Sequence, residues 1–187
     1  MSTFMTLKNH FLIAMPALLD PNFFRSVTYI CEHDAEGALG IIINQPINVY
    51  LENVFKQIGI DNIHPMIKQQ IVFAGGPVHR ERGFVLHDSQ NTYKNTLKIS
   101  ETISLTTSPD ILEAIAENRG PGLFLFALGY AQWTPGQLET ELATNAWLSG
   151  PASSEVIFTL PVEQRWRAAA ALMGVDVDRL SDNMGHA

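Results

Sequence analysis

Short apolar segments rich in β-branched residues, each closed off by turn formers, constrain this fold more than any other feature of the sequence. Phe11–Met15, Val27–Cys31, Ala38–Ile43, Ile71–Ala74, Gly83–Leu86, Leu97–Ile99, Ile103–Leu105, Leu123–Leu128 and Val156–Phe158 all read as strands bounded by Gly, Pro, Asn, Asp or Ser. Gly37–Ile43 follows His33–Asp34–Ala35–Glu36 as the second arm of a hairpin with Val27–Cys31. Its unbroken Ile41–Ile42–Ile43 ending predicts a strand covered on both faces.

Helices announce themselves by a different period. Leu51, Val54, Phe55 and Ile58 recur at helical spacing, with Gly59 placed as a C-terminal cap. Ser108–Pro109 opens a second helix with Ile111, Leu112 and Ile115 on one face, and Gly120 is expected to end it. Thr134 and Gln137 stand at capping-box spacing before Leu138 and Leu142. A fourth helix is expected from Pro161 through Trp166 to Met173, with Gly174 as its stop. Residues Val175–Ala187 read as a short helix and a frayed end. Hairpin-like pairs between irregularly spaced helices predict a mixed sheet in one domain, not a doubly wound parallel sheet.

Size and charge narrow the function classes. A chain of 187 residues can bury a core without disulfides or metals. Its formal net charge of −7 gives the wrong field for duplex DNA, whose phosphates supply most of a binder's affinity. Direct nucleic-acid binding is therefore not expected. The lone Cys31 precludes an internal disulfide and fits a reducing, cytoplasmic compartment. The apolar run Phe11–Leu19 is expected to be a core strand and a turn, not a leader, because Pro16 interrupts it and Lys8 is a thin positive flank. No stretch is long enough to span a bilayer, so no membrane association is expected.

Two loops carry candidate binding residues. The first joins Gly75, Gly76 and Pro77 to Arg82 and His87. Adjacent glycines permit close backbone approach and can offer amides to an anion, with Arg82 as a charge partner. The alternative is a tight turn with an edge proline. The second runs through Gly129, Tyr130 and Trp133 to Gln137, where a strand feeds a helix start. Its aromatics read either as a stacking wall or partner anchor, or as a lid closing the core.

No catalytic set accompanies either loop. Cys31 inside an apolar strand reads as a small hydrophobe. The run Glu32–His33–Asp34 does not make a relay, and His87–Asp88–Ser89 cannot form triad geometry as chain neighbours. The six histidines never fall at metal-ligand spacing, so no metal or cofactor is expected unless the fold gathers distant residues such as His79, Glu81 and His87.

The residues just described, taken with others, resemble the AlgH/YqgE family of bacterial proteins. The resemblance rests on His10–Pro16, Asp20–Phe23, Gly37–Gly40, Asn44–Pro46, Gly75–Val78, Arg82–His87, Ser108–Leu112, Gly129–Trp133, Gly136–Leu142, Asn145–Leu148 and Gly185–Ala187, and spans nearly the whole chain. It implies an α+β fold over residues 1–187: a bifurcated mixed sheet curled into a partial barrel and packed by helices. Some members of that family are named as transcriptional regulators, but the resemblance transfers no catalytic residue. The expectation is a non-enzymatic regulatory or adaptor protein, monomeric or weakly dimeric, that binds a protein partner or a small anionic ligand. The alternative is a nucleotide- or anion-binding protein, or an enzyme, acting at Gly75–Gly76, Arg82 and His87.

Overall fold

Strand segments that are apolar at every position need cover on both faces, and the architecture supplies it. A computed structural model describes residues 4–18 and 20–180. In chain order the strands are β1 (His10–Ala14), β2 (Val27–Asp34), β3 (Gly37–Ile42), β4 (Pro46–Tyr50), β5 (Ile71–Ala74), β6 (Val78–Asp88), β7 (Thr96–Lys98), β8 (Ile103–Thr106), β9 (Phe124–Trp133) and β10 (Trp147–Pro151). The helices are α1 (Leu51–Gln57), α2 (Pro65–Lys68), α3 (Pro109–Ala116), α4 (Gln137–Ala143), α5 (Ser154–Phe158) and α6 (Arg165–Ala171). The main path of the sheet runs β10-β1-β2-β3-β9-β6-β8-β7, with β5 also on β9 and β4 on β5.

The fork lies in β9. Phe126, Ala127 and Leu128 pair in parallel with Val72, Phe73 and Ala74 of β5. The same residues pair antiparallel with Val85, Phe84 and Gly83 of β6. Past Gly129 the strand changes neighbour, and Ala131 and Trp133 pair with Gly40 and Ala38 of β3. The expected bifurcated mixed sheet, curled into a half-barrel, is what the chain forms.

Alternation along each strand then sorts the core into layers. Phe11, Ile13, Tyr29, Cys31, Ile41 and Ile43 point into one cluster, closed by Val156 of α5 and Trp166 of α6. The intervening Leu12, Ala14 and Ile30 join Trp133, Leu138 and Trp147 beneath α4. A third layer places Leu51 and Phe55 of α1 and Ile111 and Ile115 of α3 on Val72, Val85 and Phe126. A seven-residue helix such as α1 is marginal in water by itself. Full burial of Leu51 and Phe55, at about 1.5–3 kcal/mol each, holds it in place.

Several expectations need correction. Val156–Phe158 belongs to a helix: the Ser153 hydroxyl accepts from the Val156 N–H and caps α5. A short apolar run does not by itself distinguish a strand from a buried helix turn. Strands β4 and β10 and helix α2 were not anticipated. The helix opened by Ser108 stops at Ala116, with Asn118 in the left-handed region (φ 56°), before Gly120 is reached. The fourth helix begins as a 3-10 turn over Val162–Gln164. Residues 177–180 are helical, while the expected frayed end at 181–187 lies outside the described residues. Gly59 (φ 85°) and Gly174 (φ 74°) do supply the left-handed stops expected of them.

Candidate ligand-binding cleft at the sheet fork

Where β9 changes neighbours, two backbones cross too closely for side chains. A Cβ on Gly75 would lie 2.3 Å from the Gly129 carbonyl oxygen, and one on Gly76 only 2.0 Å from the Tyr130 carbonyl carbon. The Gly75 N–H donates to Leu128 O, and Gly75 O accepts from the Ile42 N–H, both at 2.8 Å. The Gly75 amide is thus committed to the fold and is not offered to an anion. Gly129 provides the matching kink, with φ 81°.

Beside this crossing lies a cleft of about 250 Å³ lined by Asn22, Gln45, Ile47, Ala74, Gly76, Pro77, Arg80 and Leu128. Ile47, Ala74, Pro77 and Leu128 make it largely apolar, while two side-chain amides and one guanidinium supply polar groups. The Gln45 Nε2 donates to the Asn22 carbonyl at 3.0 Å, and an Arg80 Nη2 donates to Asn22 Oδ1 at 3.4 Å. The Asn22 N–H in turn donates to Asp20 Oδ1 at 2.9 Å.

Arg80 reaches the cleft because β6 breaks register. Val78 pairs with Tyr130 and Gly83 with Leu128, so the residues between them bulge out of the ladder. Bulges of this kind re-aim side chains and recur beside functional sites. His79 turns the chain in the left-handed region (φ 47°), a conformation costing on the order of 1 kcal/mol or more outside glycine. Its ring stands 5.9 Å from that of Tyr130 and 3.2 Å from Glu81 Oε1.

The structure separates the residues singled out from sequence. Gly76 and Pro77 line the cleft, and Gly75 does not. Arg82 projects from the same bulge but lies over the Phe84 ring, 5.8 Å from its centroid, and is not among the lining residues. His87 is fully buried further along β6. Its Nδ1–H donates to Asp88 O at 2.6 Å, so Nε2 accepts from the Thr106 hydroxyl at 2.7 Å. Burial holds His87 below its ordinary pKa.

The aromatic loop is divided: Trp133 is core, whereas Gln132 and residues 134–137 are exposed. Trp133 is 3% exposed and packs with Phe23 and Trp147. The indole N–H groups of Trp133 and Trp147 both donate to Glu141 Oε2, at 2.8 and 3.2 Å. Tyr130 is half-buried against Phe84, and Gln137 Oε1 accepts from the Thr134 N–H. This packing places the Trp133 indole in the core, while Tyr130 stays half-buried and Gln137 exposed.

The remaining chemistry candidates stay apart. Cys31 is buried, its Sγ–H donating to Tyr29 O at 3.7 Å, and desolvation pushes its thiol pKa up, away from the nucleophilic form. His33 reaches across the chain to Glu139, whose Oε1 accepts from Nε2–H at 2.6 Å, while its Nδ1 accepts from the Leu7 N–H. Asp88 binds the Leu123 and Gln90 amides, and the Ser89 hydroxyl meets Ser104, so His87–Asp88–Ser89 forms no relay. Among the described residues, no three His, Cys, Asp or Glu side chains gather as a metal site, and no helix is long and apolar enough to cross a membrane.

Asn22, Gln45 and Arg80 were missed by reasoning from sequence. Asn22 and Gln45 fall inside the Asp20–Phe23 and Asn44–Pro46 segments that carried the family resemblance, which was the available signal. Comparison with known proteins agrees with that resemblance. The chain is 52% identical over 187 residues to a UPF0301 protein of Nitrosococcus oceani, covering all of both chains. It is 50% identical to one from Saccharophagus degradans, covering 98% of this chain and 90% of that one. Its fold matches the solution structure of the AlgH protein from Pseudomonas aeruginosa with a TM-score of 0.81 at 47% identity, over 97% and 96% of the two chains. A Corynebacterium diphtheriae protein shares the fold alone, with a TM-score of 0.74 at 20% identity over 97% and 94%. The AlgH-like family model matches residues 11–178, and the chain belongs to that family.

Proposed function

We propose that this protein is a non-enzymatic regulatory binding protein whose ligand occupies the cleft beside Gly76. The observation that carries this reading is the convergence of Asn22, Gln45 and Arg80 on an apolar-floored cleft at the sheet fork. Binding sites typically combine a concave apolar surface with a few placed polar groups. Two of the reactive side chains weighed from the sequence, Cys31 and His87, are instead buried elsewhere in the fold. A cytoplasmic setting fits the lone free Cys31, and an influence on transcription exerted through a bound ligand or partner and not through DNA fits the net charge of −7.

A concave site of this size favours a small molecule over a flat protein interface as the primary occupant. Thermal-shift screening of a metabolite collection tests this, because a ligand of the native state raises apparent stability. At least one compound is expected to raise the melting temperature of the wild type. Filling the cleft by Ile47→Trp is expected to abolish that shift, whereas Gln137→Ala on the other loop keeps it. If no compound stabilises the protein, or the Ile47→Trp variant keeps the full shift, the reading is wrong.

A further inference from the structure

We propose that the cleft takes a small amphipathic anion, with its carboxylate or phosphate head on Arg80 and its apolar body against Ile47, Ala74, Pro77 and Leu128. This rests on the cleft being the binding surface and names what that surface selects. The lining combines two chemistries: aliphatic residues of β4, β5 and β9, and the polar groups of Gln45 and Arg80, each hydrogen-bonded to Asn22. An uncharged apolar ligand would leave those polar groups without a match, and an inorganic ion would leave the floor bare.

Arg80 is suited to hold the head group. Among the described residues its guanidinium has no carboxylate within ion-pair distance, and its one contact is the long 3.4 Å bond to Asn22 Oδ1. The Asp20 carboxylate accepts the Asn22 backbone N–H on Oδ1 and makes no ion pair with Arg80. A planar guanidinium presents a fork of donors that matches carboxylate and phosphate oxygens. The β6 bulge and the left-handed His79 immediately before Arg80 place this cation at the cleft in a chain of net charge −7.

Titration of the full-length 15N-labelled protein with hexanoate, hexyl phosphate, hexanol and inorganic phosphate tests the assignment. Hexanoate or hexyl phosphate is expected to shift the amides of Asn22, Gly76 and Arg80, and the tighter of the two identifies the preferred head group. Arg80→Gln is expected to weaken that binding about tenfold, the scale of one charge-assisted contact, while Arg82→Gln leaves it unchanged. Raising the salt concentration should weaken the binding of the wild type, a readout independent of any variant's folding. Hexanol binding as tightly as hexanoate, or Arg80→Gln without effect, overturns the anionic head. If Ile47→Trp still blocks those ligands, the cleft itself stands. No binding by any of the four probes overturns the proposed ligand class, and the wider metabolite screen then decides the cleft separately.

Discussion

The two loops that draw attention in the sequence are opposites in the folded protein. Around Trp133 the indole donors are matched: one Glu141 carboxylate oxygen accepts from both Trp133 and Trp147, and Phe23 packs against them. Around Gly76 the glycines are equally constrained by the backbone crossing, yet Arg80 beside them is exposed and loosely held. The buried indoles at one loop thus have their donors matched, while the cation beside the other has one long hydrogen bond. Side-chain type alone does not reveal this difference; the state of the polar groups does.

Substitutions can test this contrast. The largest effect is expected at the crossing itself. Gly76→Ala places a methyl group inside the Tyr130 backbone, which flexible side chains cannot relieve, and should destabilise the fold by about 3 kcal/mol, read from urea unfolding. Glu141→Leu should cost about 1–3 kcal/mol by leaving the Trp133 and Trp147 N–H groups without their acceptor, and should shift the tryptophan emission. An unchanged stability for Glu141→Leu would mean that the second loop is less closed than its packing indicates.

A pH series probes the site residue that the fold buried. Because His87 titrates below its ordinary value in the folded state, the unfolded chain takes up the proton first as the pH drops. The stability from its neutral form is complete above the ordinary value near 6.5 and is lost as the pH falls through the folded value. The urea midpoint should accordingly decline from pH 7.5 to 5.5, and His87→Gln should flatten that decline. The smallest effect is expected at Arg82, exposed on the bulge, where Arg82→Gln should change stability by less than about 0.5 kcal/mol.

Much of the fold was legible because its strands are covered on both faces and keep a continuous apolar character. What escaped had a physical cause in each case. Strand β4 starts at Pro46 and alternates exposed and half-buried residues at an edge, and β10 carries Ser149, Gly150 and Pro151. Neither has an apolar run to announce it. In the candidate cleft, Gly76 and Pro77 were legible from their glycine–proline chemistry. The sequence offers Arg80 and Arg82 on equal terms, and it is Arg80, not the Arg82 singled out, that lines the cleft. Only the register shift in β6 chooses between them. Asn22 and Gln45 come from connections far apart in the chain and meet only through the bond from Gln45 to the Asn22 carbonyl.

The central claim is that the open surface lies at the sheet fork and not at the aromatic loop. Amide chemical-shift mapping of the wild-type protein, titrated with the best compound from the thermal-shift screen, tests it most directly. The account predicts perturbations concentrated at Asn22, Gln45, Gly76 and Arg80, with Thr134 and Gln137 unmoved. Perturbations centred on Thr134 and Gln137, with the fork unchanged, would contradict it.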